Sequence, residues 1–269
     1  MNYAFMSFST PELSLQEMCV VAKEYGYSGI EPRMDANHHH GIEISTSSDE
    51  RMALKTIAND AHIILTCLAT SLKFSDPSQT SKTIDETYAR IDLAYDLDIS
   101  RIRIFGGAIP EGRSREQGIS TVSNALREVA GYAERKSVTL CLETHDDWCD
   151  PSQVAEVMKR TDHPAIAVNW DIMHPVRMGH ATMSAAYNLL KPWIKHVHLH
   201  DGAGKIGEGA SLVPIGKGLI DHKCAMKCLI SDRYTGYVSG EWINWEAWKM
   251  HLPRELSTLK QYEEDLENS

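Results

Sequence analysis

The sequence predicts a single (β/α)₈ barrel, a TIM-barrel domain spanning residues 1–269. Three observations carry that expectation: eight short β-rich runs, helix-like segments between most of them, and a first turn without glycine. The runs begin near Tyr3, Gly29, Ile63, Arg101, Thr139, Ile166, His196 and Val238. They are spaced by about 26 to 42 residues, close to the ~30 that a strand, crossover helix and return consume. Such alternation fits a closed barrel or an open doubly wound sheet. The open sheet usually places a glycine-rich phosphate turn after its first strand, whereas Phe5-Met6-Ser7-Phe8-Ser9 has no glycine, which favours the barrel. A chain of 269 residues suits one such domain, because barrels use ~250 on one core.

The elements follow in order. Thr10-Pro11 reads as an N-cap with proline at the first helical position, and Gly26 as the stop of that first helix. From Ile63 the chain runs Ile-Ile-Leu-Thr-Cys-Leu-Ala without alternation, as expected of a parallel strand covered on both faces. Between the fourth and fifth strands, Ile119, Val122, Leu126, Val129 and Ala133 step by three or four residues and share one helical face. Asp150-Pro151 repeats the capping device for the next helix, and the segment for a sixth helix has the weakest helical pattern. No linker or low-complexity tract divides the chain, and His38-His39-His40 is the one local bias.

Composition narrows the function. The chain is 42% hydrophobic and 24% charged, enough apolar surface for a sizeable core. Its net charge of −10 and pI near 5.7 argue against gripping a phosphate backbone, so nucleic acid is not an expected partner. Six cysteines without Cys-x-x-Cys, and an opening without a signal-peptide pattern, read as reduced thiols of a cytoplasmic protein. No uncharged apolar run approaches the ~18 residues of a membrane span, so no membrane partner is expected.

The late strands end in ligand-type side chains. These are Leu142-Glu143-Thr144-His145 on the fifth, Asn169-Trp170-Asp171 then His174 on the sixth, His196-Val197-His198-Leu199-His200-Asp201 on the seventh, and Gly240-Glu241-Trp242 on the eighth. In a parallel barrel those ends lie at one mouth, where three carboxylates and an imidazole suit a divalent cation. One acidic strand end is more often a solvated loop residue or a helix cap; four in register make coincidence less plausible. The period of two puts His196, His198 and His200 on one face. His196 lies deepest and reads as a core residue, which leaves His198 the better ligand.

These pieces, with Tyr27-Ser28-Gly29-Ile30-Glu31-Pro32-Arg33, Arg103-Ile104-Phe105-Gly106-Gly107, Asp171-Ile172-Met173-His174-Pro175, Pro214-Ile215-Gly216-Lys217-Gly218 and Gly236-Tyr237-Val238-Ser239-Gly240-Glu241, occur in an order that resembles the sugar phosphate isomerase/epimerase group of xylose isomerase-like barrels over essentially the full length. The resemblance implies one divalent metal (manganese, magnesium, cobalt or zinc) on Glu143, Asp171, His198 and Glu241. It further implies Glu143 and Glu241 as the acid/base pair flanking a substrate carbon, and His174 as a contact to a substrate oxygen. Relatives usually carry lysine where this chain has His200, which is placed here beside the site.

The chemistry is coherent on its own terms. A vicinal hydroxyl and carbonyl chelated by the ion would have an acidified C–H, and the enediolate formed would be stabilised in a dry pocket. Glu31 and Arg33 alternate onto one face, where they contact sugar hydroxyls or pair with each other. His145 and Trp242 offer polar and aromatic walls, and the three-histidine run is read as mostly solvated. Lys73, Arg33, Lys205, Lys217 and Arg254 are candidate anion contacts, none in a glycine-rich helix N-terminus. The expected activity is a sugar, sugar-acid or sugar-phosphate isomerase or epimerase with a small-molecule carbohydrate substrate. The alternatives are a dehydratase or lyase, an apurinic-site endonuclease disfavoured by the acidic charge, and a non-catalytic sugar-binding barrel. The resemblance also allows a homo-oligomer.

Overall fold

The computed structural model describes residues 1–208 and 211–268. Strands β1 (Asn2–Met6), β2 (Gly29–Glu31), β3 (Ile64–Leu65), β4 (Leu68–Lys73), β5 (Arg101–Phe105), β6 (Thr139–Glu143), β7 (Ile166–Asp171) and β8 (Ile194–Leu199) are followed by a hairpin, β9 (Asp201–Ala203) and β10 (Ser211–Val213), and then by β11 (Tyr237–Gly240). Apart from the hairpin they form one parallel sheet in the order β3-β2-β1-β11-β8-β7-β6-β5-β4. The two ends of that order are halves of one strand, interrupted at Thr66 and Cys67. Thr66 N donates to Ile30 O, Ala69 N donates to Pro32 O, and Arg33 bridges to Ala69, so the barrel closes on itself.

Helices α1 (Leu15–Tyr25), α2 (Ser48–Asp60), α3 (Thr80–Asp96), α4 (Arg115–Arg135), α5 (Pro151–Thr161), α6 (Met173–Arg177), α7 (Met183–Leu190), α8 (His222–Ser231) and α9 (Trp248–Glu267) fill the connections. Among the described residues no helix is long and apolar enough to cross a membrane. Ile119, Val122, Leu126, Val129 and Ala133 are all buried along α4, as their spacing requires. Gly26 closes α1 at φ 89°, and Asp150 accepts from Ser152 N ahead of Pro151. Thr10-Pro11 does not start α1. The N-cap is Ser14, four residues after Thr10: it forms a reciprocal capping box with Glu17 that satisfies two amides at once, whereas the residue three beyond Thr10 is Leu13, which cannot reciprocate. The weak sixth helical segment resolves into two short helices, α6 and α7.

The β9–β10 hairpin was not expected from sequence. Its base is held by Asp201, whose carboxylate accepts from the backbone N–H groups of Gly202, Gly216, Gly218 and Ile220. A Cβ at Gly218 would lie 2.3 Å from Asp201 Oδ1, so only glycine permits this approach.

The three-histidine run divides by burial. His39 is exposed, His38 meets Ser7 Oγ at 2.9 Å, and His40 is buried, with Nε2 donating to Arg33 O and Nδ1 accepting from Ile42 N. Burial lowers the His40 pKa to about 4, opposed by its bond to Arg33 and aided by His38. The unfolded value is ~6.5, so its neutral form contributes stability in full above that pH and loses it as pH falls through 4. His40→Gln, which keeps a donor and an acceptor, should show about 3 kcal/mol less acid destabilisation than wild type in urea unfolding at pH 7 and pH 4. Parallel pH profiles for the two proteins would refute this.

Candidate metal and active site

At the C-terminal ends of β6, β7, β8 and β11 the side chains of Glu143, Asp171, His198 and Glu241 each present one ligand atom, all within 4.8 Å of one another. The first three are fully buried and Glu241 is 6% exposed. His198 Nδ1 lies 2.7 Å from Glu143 Oε1 and 3.5 Å from Glu241 Oε2. Glu143 Oε2 and Asp171 Oδ2 are buried without hydrogen-bond partners. Asp171 Oδ1 accepts from the backbone of Met173 and His174, and Oδ2 faces the imidazoles of His200 and His174.

This crowding of acceptors calls for a positive charge. Burial alone would lower the His198 pKa, but Glu31 and Glu143 outweigh it and push it well above the usual histidine value. Burial would raise Glu241, yet the hydrogen bond and charge of His198, then His200 and Arg103, hold it at about 2. Asp171 is likewise held low against burial by His174 and His200. A divalent ion at the convergence point would supply the charge that protons supply otherwise, and three carboxylates with one imidazole suit such an ion.

Two further residues hold His198 in place. Glu31, fully buried on β2, accepts from His196 Nε2 at 2.8 Å and faces His198 Nε2 at 2.9 Å. With Nε2–H donating to Glu31, Nδ1 is free for the ion, the arrangement that orients metal-bound histidines elsewhere. Burial would raise Glu31, but His198 and His196 hold it well below the usual carboxylate range. Glu31 is thus an orienting partner of His198 in place of the sugar contact expected from sequence, because both its oxygens are occupied beneath the site. Glu31→Gln should weaken metal affinity by roughly 10- to 100-fold in a calorimetric titration, and unchanged affinity would remove it from this role. Asn169 on β7 places its amide nitrogen 3.1 Å from Glu143 Oε1 and 3.0 Å from His198 Nδ1.

Arg103 was also missed as a site residue. It is buried on β5, its Nε 3.3 Å from Glu143 Oε2, its Nη1 donating to Thr70 O, and its guanidinium stacked 3.9 Å over Phe105. The signal was present: a lone charge inside Ile102-Arg103-Ile104, on the opposite face from its apolar neighbours.

Above the four residues sits a group of imidazoles. His145 and His174 rings lie 4.5 Å apart, and His174 and His200 rings 5.6 Å apart. His145 Nδ1 is 2.9 Å from Asp146; burial would lower its pKa, but Asp146 and then Glu143 raise it. His200 donates Nδ1–H to Glu241 O, and its Nε2 lies 3.1 Å from Asp171 Oδ2. Burial is again outweighed, here by Asp171, and His200 is raised to about 9.

The remaining expected contacts are placed differently. Arg33 sits half-buried at the rim, donating to Met34 O and Ser71 Oγ, and does not pair with Glu31. Burial, then Arg103, lowers its pKa to about 10. Trp242, expected as an aromatic wall, is buried against His251, its ring so close to Gly240 that a Cβ there would lie 2.1 Å away. Arg254 pairs with Glu246 and Glu255.

With this geometry in view, the model of the xylose isomerase-like TIM barrel matches residues 19–266. The chain belongs to that family. No curated protein matches the chain significantly. Among solved structures, this family member is similar to the probable 3-DHS dehydratase AsbF of Bacillus anthracis, at TM-score 0.80 and 20% identity over 97% of this chain and 99% of that one. It is also similar to an L-ribulose 3-epimerase, at TM-score 0.81 and 17% identity over 100% and 96% of the two chains. A third likeness is the IOLI protein with a bound zinc atom, at TM-score 0.77 and 19% identity over 99% and 98%.

Proposed function

We propose that the chain is a divalent-metal-dependent isomerase or epimerase of a small carbohydrate or close relative such as a sugar acid. The observation that carries this reading is the buried convergence of Glu143, Asp171, His198 and Glu241. The bound ion would act as a Lewis acid that acidifies the C–H beside a carbonyl. Glu143 ends β6 and Glu241 follows β11, with β7 and β8 lying between those strands, so they approach a substrate from different sides. Glu143 Oε2 has no hydrogen bond of its own, so with the ion held through the other oxygen it would be available to take a proton. Glu241 returns a proton on the opposite face, and His174 donates to the oxygen that becomes negative in the enediolate. Epimerase and zinc-containing neighbours support the reading without fixing the substrate.

A second reading has its own support. His145, with Asp146 raising its proton affinity, is an acid beside the same pocket and could protonate a leaving hydroxyl, which is what a dehydratase requires. A dehydratase is among the structural neighbours. One experiment separates the two: metal-loaded protein incubated in deuterated water with ketoses, aldoses and sugar acids, followed by NMR. Solvent deuterium at a carbon with the hydroxyls retained supports the isomerase; loss of a hydroxyl-bearing carbon, with a new C=C or a deuterated deoxy carbon beside a carbonyl, supports the dehydratase. Neither signal across the panel would defeat both.

A further inference from the structure

We infer that Arg177 is a positioning residue that fixes the tautomer of His174, so that the imidazole presents Nε2–H to the pocket. Arg177 stands one helical turn beyond His174 on α6, and its Nη2 lies 3.5 Å from His174 Nδ1. A guanidinium has no acceptor, so Nδ1 must accept and the ring proton resides on Nε2. The other edge agrees. Nε2 lies 3.7 Å from Asp171 Oδ2, where a bare nitrogen would set two acceptors against each other. His145 and His200 flank the ring.

The same contact decides a competing possibility. Asp171, His174 and His200 also have ligand atoms within 4.8 Å of one another, as a second metal site would need. A His174 that accepts from Arg177 has its inward nitrogen protonated, and a protonated nitrogen cannot ligate. The group is therefore a hydrogen-bonding wall.

Arg177 is itself held from outside the barrel. Its carbonyl accepts from Gly207 N at 2.7 Å, and its Nη1 donates to Glu208 O at 3.3 Å, both on the chain between β9 and β10. The hairpin that Asp201 anchors thus reaches, through one arginine, to the imidazole over the site.

The part His174 plays toward a substrate oxygen rests on the proposed function, but its tautomer does not, and the test uses both. Long-range ¹H–¹⁵N spectra of the zinc-loaded full chain should show His174 as the Nε2–H tautomer. Arg177→Ala should give a mixture, and Arg177→Lys, which restores a donor, should return it toward wild type. A wild-type Nδ1–H tautomer, or no change in Arg177→Ala, would overturn the inference whatever the reaction is. In turnover, Arg177→Ala should lower kcat roughly 10- to 100-fold with KM and metal content unchanged. In a His174→Ala background it should cost nothing further, and additive losses would overturn the proposal. If the tautomer behaves as stated while His174→Ala turns over normally, the proposed role of His174 fails and the positioning by Arg177 stands.

Discussion

Combining Asp171→Ala with Glu241→Ala is expected to abolish stoichiometric binding of manganese or zinc. The pair supplies two of the three carboxylates at the convergence point, one at the end of β7 and one beyond β11. What remains, Glu143 and His198, already lie 2.7 Å apart, and a proton shared between them satisfies both without an ion. Their orienting partners, Glu31 and Asn169, stay in place, so the loss reports on ligation and not on collapse of the pocket. Metal analysis after dialysis against an equimolar ion is the measurement. Full stoichiometry in the double variant would place the ion elsewhere in the barrel.

Glu143→Gln should separate ligation from proton transfer. Glutamine keeps the shape of the side chain and one oxygen toward the ion, and Asn169 and His198 remain beside it. It removes the carboxylate oxygen that faces Arg103 and has no hydrogen bond of its own. Loss of a general base costs ~10²- to 10⁴-fold in rate, far more than one weakened ligand costs in affinity. Deuterium exchange into substrate should fall by that factor while calorimetry still finds the ion. Exchange at the wild-type rate would remove Glu143 from the base role.

Much of this arrangement was readable before any coordinates. Strand starts at Gly29, Arg101, Thr139 and Ile166 coincide with the observed ones, because buried parallel strands are dense apolar runs and their charged ends stand out. The same contrast picked out Glu143, Asp171, His198 and Glu241. What could not be read depends on distance in space. Glu31 meets His196 across 165 residues of sequence, and nothing in Ile30-Glu31-Pro32 says whether a carboxylate faces a sugar or a histidine. Asn169 has too many ordinary uses to stand out, and Trp242 looked like a sugar platform because aromatic residues serve walls and cores equally. The β9–β10 hairpin escaped because each strand is three residues long, below the length at which alternation is visible.

The break at Thr66 and Cys67 leaves one side of the barrel wall without a continuous strand. There β2 meets the interrupted strand at Gly29 with Ile64 and Ile30 with Leu65 and then, after a gap, Arg33 with Ala69, whereas β6 and β7 pair at four consecutive positions. Local opening begins where a ladder is interrupted, so amide deuterium uptake should run faster around Ile64 and Ala69 than along β6 and β7. In the closed ring this seam lies across from the β7–β8 junction. Glu31 closes β2 at the edge of this seam and reaches across the barrel to His198 Nε2, so its grip on that ring is the part of the site that loosening there would reach first.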